Sequence, residues 1–174
     1  MDCIRPAIPT DALGISTVQV STWLEAYAGL MPEEYLKEQS VEGRLARWSE
    51  ILRSDGVGNA RTWVATRSDD IVGFVSSGPC RDAVQPPGLR WEVYALYVKA
   101  SYWGQGLGTS LLTAALKRVP PEAESVSLWV LAGNQRAIRF YASRGFVHDG
   151  TEKEAMRSGH AFREQRFVRP MGFG

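Results

Sequence analysis

A chain of 174 residues, 44% hydrophobic and 22% charged, has the size and composition of one globular domain with its own core. A formal net charge of +1 gives bulk electrostatics no reason to favour nucleic acid or an anionic membrane. No run of about 18 apolar residues is present to cross a bilayer, the opening MDCIRPAIPTD has no apolar signal core, and Cys3 and Cys80 form neither a disulfide framework nor a metal spacing. The expectation is a soluble cytoplasmic protein, one domain over 1–174, with reduced cysteines, no bound metal and no nucleic-acid or membrane partner.

In chain order, DCIRPA reads as an edge strand because Pro6 cannot donate to a ladder. Thr10 and Asp11 are candidate caps for a helix to about Ala28, ended by Gly29; Val20, Trp23, Leu24 and Tyr27 form its apolar stripe. Pro32 opens a short helical turn, and Ser40 caps a helix that buries Leu45, Trp48 and Leu52. Residues 54–59 form a turn cluster. RTWVATRS and IVGFVSS read as a hairpin turning at Asp69-Asp70, followed by a proline-rich loop over 78–88. RWEVYALYV (90–98) is strongly β-prone. A helix over 107–119 buries Leu107, Leu111, Leu112, Ala115 and Leu116 and stops at Pro120 and Pro121. SVSLWVLA is a strand, NQRAIRFYASRG is a helix capped by Asn134 and closed by Gly145, and FVHDG and FREQRFVRP finish as strands. The order β-α-α-β-β-β-α-β-α-β-β is that of an α/β protein with a mixed sheet. Its strand–helix–strand unit over 90–132 makes those two strands parallel neighbours.

WGQGLGTSLL (103–112) places glycines directly before a helix. Backbone N–H groups there, with the positive end of the helix dipole, suit a phosphate; a plain connector is the other reading. A Walker A loop needs a lysine that Gly108-Thr109 lacks, and the dinucleotide fingerprint needs G-x-G-x-x-G where this loop has G-x-G-x-G.

The stretch 103–108 resembles the pyrophosphate loop of the GNAT superfamily of acetyl-CoA-dependent N-acetyltransferases, Gln/Arg-x-x-Gly-x-Gly/Ala. Trp103 stands where that pattern has Gln or Arg. NQRAIRFYASRGF resembles the family's second segment, matching at Asn134, Ala137, Tyr141, Gly145 and Phe146. The resemblance is firm over 90–147 and loose over 1–60. It implies a mixed, mostly antiparallel sheet with a central splayed parallel pair, flanked by helices, and acetyl-CoA as co-substrate. It also implies a small-molecule or peptide amine as acceptor, with a homodimer as a common arrangement. For coenzyme binding it points to Leu96, Tyr97 and Val98 on the strand, Trp103, Gly104, Gln105, Gly106, Leu107, Gly108 and Thr109 in the loop, and Asn134 and Tyr141. A main-chain N–H near Leu96 or Tyr97 would meet the acyl oxygen, and Tyr97 and Val98 would bond the pantetheine arm.

In that family the amine attacks the thioester directly. Tyr141 is then the candidate acid for the departing thiolate, or a core residue beside Phe140. Glu92, on the face of Tyr94, is the candidate base, or a carboxylate that orients substrate or pairs with a cation. Asn134 either bonds the arm or caps its helix, and Thr109 either bonds phosphate or is an ordinary first-turn residue. Trp23, Tyr27 and Tyr35 lie where the family walls its acceptor pocket. Glu25, Glu33, Glu34 and Glu38 hint at a cationic acceptor or form a solvated face. His148 and His160 read as surface strand residues. A coenzyme A-binding module without catalysis is the alternative function.

Overall fold

Residues 3–54, 60–82 and 90–172 are described in the structure, a computed structural model. In chain order the elements are β1 (Cys3–Pro6), α1 (Ala12–Ala26), α2 (Glu33–Lys37), α3 (Val41–Ser54), β2 (Arg61–Arg67), β3 (Asp70–Pro79), β4 (Arg90–Val98), α4 (Leu107–Leu116), β5 (Ser125–Leu131), α5 (Gln135–Ala142), β6 (Val147–Arg157) and β7 (His160–Pro170). The strands form a sheet of order β1-β2-β3-β4-β5-β7-β6, antiparallel except for the β4–β5 pair. This is the mixed, helix-flanked architecture expected. Most of the turn cluster at 54–59 and of the loop at 78–88 lies outside the described residues.

Alternation along the strands sorts side chains onto two faces. Val64 and Phe74 meet Ile15, Val18, Trp48 and Leu52 of α1 and α3. Ala65 and Val75, one residue on, meet Leu107, Leu111, Leu112 and Ala115 of α4. Ser40 caps α3 by accepting the Gly43 N–H at 3.1 Å, and Asn134 caps α5 by accepting the Ala137 N–H at 3.1 Å.

Several boundaries differ from the expectation. The β2–β3 turn falls one residue earlier, at Ser68 and Asp69, whose φ angles of 49° and 70° suit the twisted hairpin turn. β6 runs past Gly150 to Arg157, and β7 starts at His160, not Phe162. The added hairpin has only Ala155, Met156 and Ala161 as apolar side chains, too few for a hydrophobic period to read. Leu24 was placed on the buried stripe of α1 but is 45% exposed. The helix instead buries Ile15, Val18 and Thr22 with Trp23, because it packs against both the sheet and α3. Neither Thr10 nor Asp11 caps α1 through its side chain.

Asp11 has a different task. Its carboxylate accepts the Ile8 N–H at 2.8 Å and a two-pronged Arg5 fork at 2.6 and 2.9 Å, tying β1 to the start of α1. Burial alone would raise this carboxyl, but Arg5 and the Ile8 N–H hold it below its ordinary value. A carboxyl depressed in the folded state stabilises above its unfolded pKa of about 3.9, and that gain is lost as pH falls through the folded value. Asp11→Asn should therefore lower unfolding free energy at pH 7 by about 1–2 kcal/mol in urea titrations. The difference from the parent protein should close as pH falls through the lowered folded value.

Candidate active site

β4 and β5 pair only at Arg90↔Ser125, Trp91↔Val126 and Glu92↔Ser127. Beyond Glu92 they part. The cause lies on the other edge of β4: its register with β3 shifts so that Ser77 faces Val93 and Ser76 faces Ala95, leaving Tyr94 as a bulge. A bulge also reverses which peptide groups face which neighbour. Cys80 donates to Arg90 O before it and Lys99 to Val72 O after it. By alternation, Tyr97 bonds Phe74 across to β3, while the peptide groups of Leu96 and Val98 turn to the gap. The expectation that Tyr97 offers main-chain bonds to a bound arm is thereby corrected; it reaches the gap through its ring. The Val98 carbonyl already accepts the Trp103 indole N–H at 2.6 Å.

The gap opens into a cavity of about 400 Å³. Leu96, Tyr97, Val98, Trp103, Gly104, Gly106, Leu107, Gly108, Thr109, Asn134 and Tyr141 line it. Gln105 does not; its side chain turns away to Ser101 O and to Arg67. Gly104 and Gly106 have φ of 76° and 85°, and a Cβ at either would meet nothing within 4 Å. Their glycines therefore serve backbone conformation and leave the approach to α4 bare. Gly108 is small for another reason: a Cβ there would sit 3.2 Å from the Phe140 ring. The first-turn N–H groups of α4 have no partner inside the helix.

Cations from outside the loop gather at this cradle. The Arg144 guanidinium donates to Thr109 Oγ1 and lies 3.9 Å from the Phe140 ring centre. Arg136 covers the Trp103 ring at 3.0 Å. Sequence reasoning passed over both. Their signal was position, since they lie inside the matched 134–146 segment. Unpaired N–H groups, the Thr109 hydroxyl and two guanidiniums together suit a diphosphate.

Tyr141 is buried between Phe140 and Phe146, with ring centres 5.1 and 5.7 Å away. Burial, then the nearby Tyr97, pushes its phenol well above the ordinary value. Tyr27 is raised likewise by burial and by Tyr97, and burial raises Tyr97 against opposing hydrogen bonds. The Tyr27 and Tyr97 hydroxyls lie 3.4 Å apart. The hydroxyl of Tyr97 is a site feature the sequence reading missed.

A second cavity, of about 1040 Å³, lies on the other face and shares Tyr27, Val93, Tyr94, Ala95, Tyr97, Trp129 and Leu131 with the first. The gap is thus reached from both faces. Glu92, 2% exposed, lines only this second cavity. Arg81 holds both its oxygens: backbone N–H at 2.9 Å, Nε at 3.2 Å, Nη2 at 2.6 Å. Tyr94 donates to Pro79 O at 2.6 Å, and its phenol is pushed up to about 12 by burial and by Glu92. Trp23, Tyr27 and Tyr35 wall this cavity as expected. Glu25, Glu33, Glu34 and Glu38 are exposed and do not line it; Glu33 pairs with Lys37 at 2.6 Å. His148 and His160 are half-buried, not on the surface: one packs on Phe167, the other on Tyr35 and Phe162.

Residues 20–146 match the acetyltransferase (GNAT) family, and the chain belongs to that family of acyltransferases. It is 30% identical over 126 residues to an uncharacterized N-acetyltransferase of Archaeoglobus fulgidus, covering 72% of this chain and 82% of that one. It is also 30% identical over 121 residues to the aminoglycoside N(6')-acetyltransferase type 1 of Klebsiella pneumoniae, covering 68% of this chain but only 56% of that relative. The PaiA N-acetyltransferase of Thermoplasma acidophilum, solved with coenzyme A, superposes on 98% of this chain and 99% of its own, with a TM-score of 0.75 at 22% identity. A GCN5-related N-acetyltransferase from Rhodopseudomonas palustris gives a TM-score of 0.77, also at 22% identity, over 98% of this chain and 96% of its own. At these identities the likeness is one of fold. Among the described residues no helix is long and apolar enough to cross a membrane.

Proposed function

We propose that the protein transfers an acetyl group from acetyl-CoA to a primary amine by direct attack. One observation carries the reading: the β4–β5 gap is open to both faces, with a phosphate cradle at one mouth and Tyr141 on its wall. When bound, acetyl-CoA supplies an activated acyl thioester. The N–H groups at the start of α4, with Thr109, Arg136 and Arg144, hold its diphosphate. The peptide groups of Leu96 and Val98 align its arm, and the Leu96 N–H faces the acyl oxygen. The amine enters from the second cavity; its nitrogen forms the C–N bond as the C–S bond breaks. Tyr141 gives its phenolic proton to sulfur. The amine's proton passes to Glu92 through a water, since Arg81 occupies both carboxylate oxygens.

Magnitudes fit these roles. A lysine-like amine at pKa about 10.4 costs about 4–5 kcal/mol to neutralise at pH 7, whereas an α-amine near 8 costs about 1 kcal/mol. The first class needs the base far more. A free thiol titrates near 8.5, so a phenol raised above 10 transfers its proton uphill by at least about 2 kcal/mol. Tyr141 must therefore act as a close hydrogen-bond donor whose proton moves late.

Gly106→Asp places an anion where the diphosphate would approach. Coenzyme A affinity should fall about 10- to 100-fold by calorimetry. Gly106→Ala, which carries only the left-handed backbone cost, should lose much less. Equal losses in the two would take charge at the cradle out of the account.

Tyr141→Phe should lower kcat by about 10²–10³ while leaving coenzyme affinity nearly unchanged. Its hydroxyl bonds no described group, so unfolding free energy should shift by less than about 0.5 kcal/mol. Because burial raises the phenol, the parent enzyme should show no loss of acid function below about pH 10. Parent-level kcat for the variant across pH 6–9, with chemistry limiting, would remove Tyr141 from the mechanism.

Glu92→Gln should lower kcat/KM by about 10²-fold or more on a lysine-like amine and much less on an α-amine. Equal losses on both substrates would assign Glu92 to positioning Arg81 instead.

A further inference from the structure

The second cavity carries an unbalanced wall. Among the described residues, five cationic side chains line it, Arg44, Arg47, Arg81, Lys153 and Arg157, against three carboxylates, Asp82, Glu92 and Glu164. Each carboxylate is already engaged. Glu92 is held by Arg81. Glu164 pairs with Arg157 and, at 3.6 Å, with Lys153. Asp82 pairs with Arg166, a residue outside the lining, at 3.2 Å. The excess therefore falls on α3: neither Arg44 nor Arg47 pairs with a carboxylate among the described residues.

Arg44 is the more telling of the two. It is half-buried, with its guanidinium 4.7 Å from the Trp23 ring centre. The one side-chain hydrogen bond it makes to a described group goes to a neutral acceptor, Gln39 Oε1, at 2.6 Å, which leaves most of the five guanidinium donors uncommitted. Burial lowers its pKa, opposed by Tyr35 and Tyr97 and aided by the charges of Arg47 and Arg157. A half-buried cation without an anion is costly unless something neutralises it. The remaining polar groups lean in the same direction. Trp129 lines the cavity with a buried indole N–H, a donor only, that meets no described acceptor. Tyr27, Tyr94 and Tyr97 stay protonated because burial raises each. Such a wall repels polycationic amines.

We infer that the acceptor is a primary amine that also carries an anionic oxygen group, a carboxylate or phosphonate, which Arg44, with Arg47 and Arg157 beside it, binds in the second cavity. This rests on the acetyl-transfer reading and deepens it. The ligand's acid is held at the α3 end, and its amine is left free to reach β4 and the gap, where Glu92 and Tyr141 stand. It also reverses the hint from Glu25, Glu33, Glu34 and Glu38, whose carboxylates lie outside this cavity.

The test is a thiol-release assay with acetyl-CoA on matched amines: α-amino acids, aminophosphonates, the corresponding amino-acid amides, and polyamines and aminoglycosides as a cationic arm. Acidic amines should exceed their amides in kcat/KM by about 10- to 100-fold, and the carboxylate and phosphonate arms show which acid is taken. Arg44→Gln should collapse that ratio, and Arg44→Lys should restore part of it. Arg118→Gln, the same charge loss at an exposed site just past α4, should leave the ratio intact. Amides or polyamines turned over as well as acidic amines would overturn the inference while leaving acetyl transfer standing. If no amine turns over, calorimetry on the coenzyme A-loaded protein decides. Tighter binding of amino acids than of their amides, lost in Arg44→Gln, supports the inference; equal binding, or none, overturns it.

Discussion

The parting of β4 from β5 after Glu92 is the constraint on which the site depends. A ladder that ends inside a sheet leaves peptide groups facing a gap, and a buried unpaired group costs about 1–3 kcal/mol. The fold tolerates this because the cause is built in on the opposite edge. Tyr94 bulges from the β3–β4 register, and its hydroxyl anchors the bulge on Pro79 O at 2.6 Å. Gly78 has no Cβ to collide with that hydroxyl. Trp103 relieves part of the cost by donating its indole N–H to Val98 O. That gives a physical role to the residue that replaces the family's usual Gln or Arg. Its ring also supports Arg136, which brings a cation to the cradle from α5 instead of from the loop.

The two cavities have similar electrostatic signs but different construction. On the first, backbone N–H groups at the start of α4 supply most of the field, and the guanidiniums are held by aromatic faces and by Thr109. On the second, the field comes from side chains alone, and ion pairs cancel most of it before the excess on α3 appears. Between them lie three phenols that burial keeps neutral. A neutral, low-dielectric partition of this kind puts no fixed charge into the gap between the two cavities. It also strengthens any hydrogen bond made there.

Local signals made much of this legible in the sequence. The glycines of the cradle, the caps at Ser40 and Asn134 and the stripe of α4 each depend on residues a few positions apart. Tyr141 drew attention through the resemblance of 134–146 to the family's second segment, a pattern carried within one helix. What failed to show depends on distance along the chain. The outer β6–β7 hairpin buries too little on either face to leave a hydrophobic period. Arg44 and Arg157 belong to elements about a hundred residues apart in sequence, and only the fold brings them to one wall.

Tyr97 shows how one irregular residue changes what a strand position offers. Below the bulge, Trp91 and Val93 turn their peptide groups toward β5, as alternation from the paired segment requires. Had the strand continued without interruption, Ala95 and Tyr97 would have done the same. The extra residue at Tyr94 reverses the parity, so Leu96 and Val98 face the gap and the Tyr97 ring swings to the second cavity, among Trp23, Tyr27 and Phe74. The same single-residue irregularity that opens the gap therefore also decides which peptide groups face it and which aromatic ring faces the second cavity.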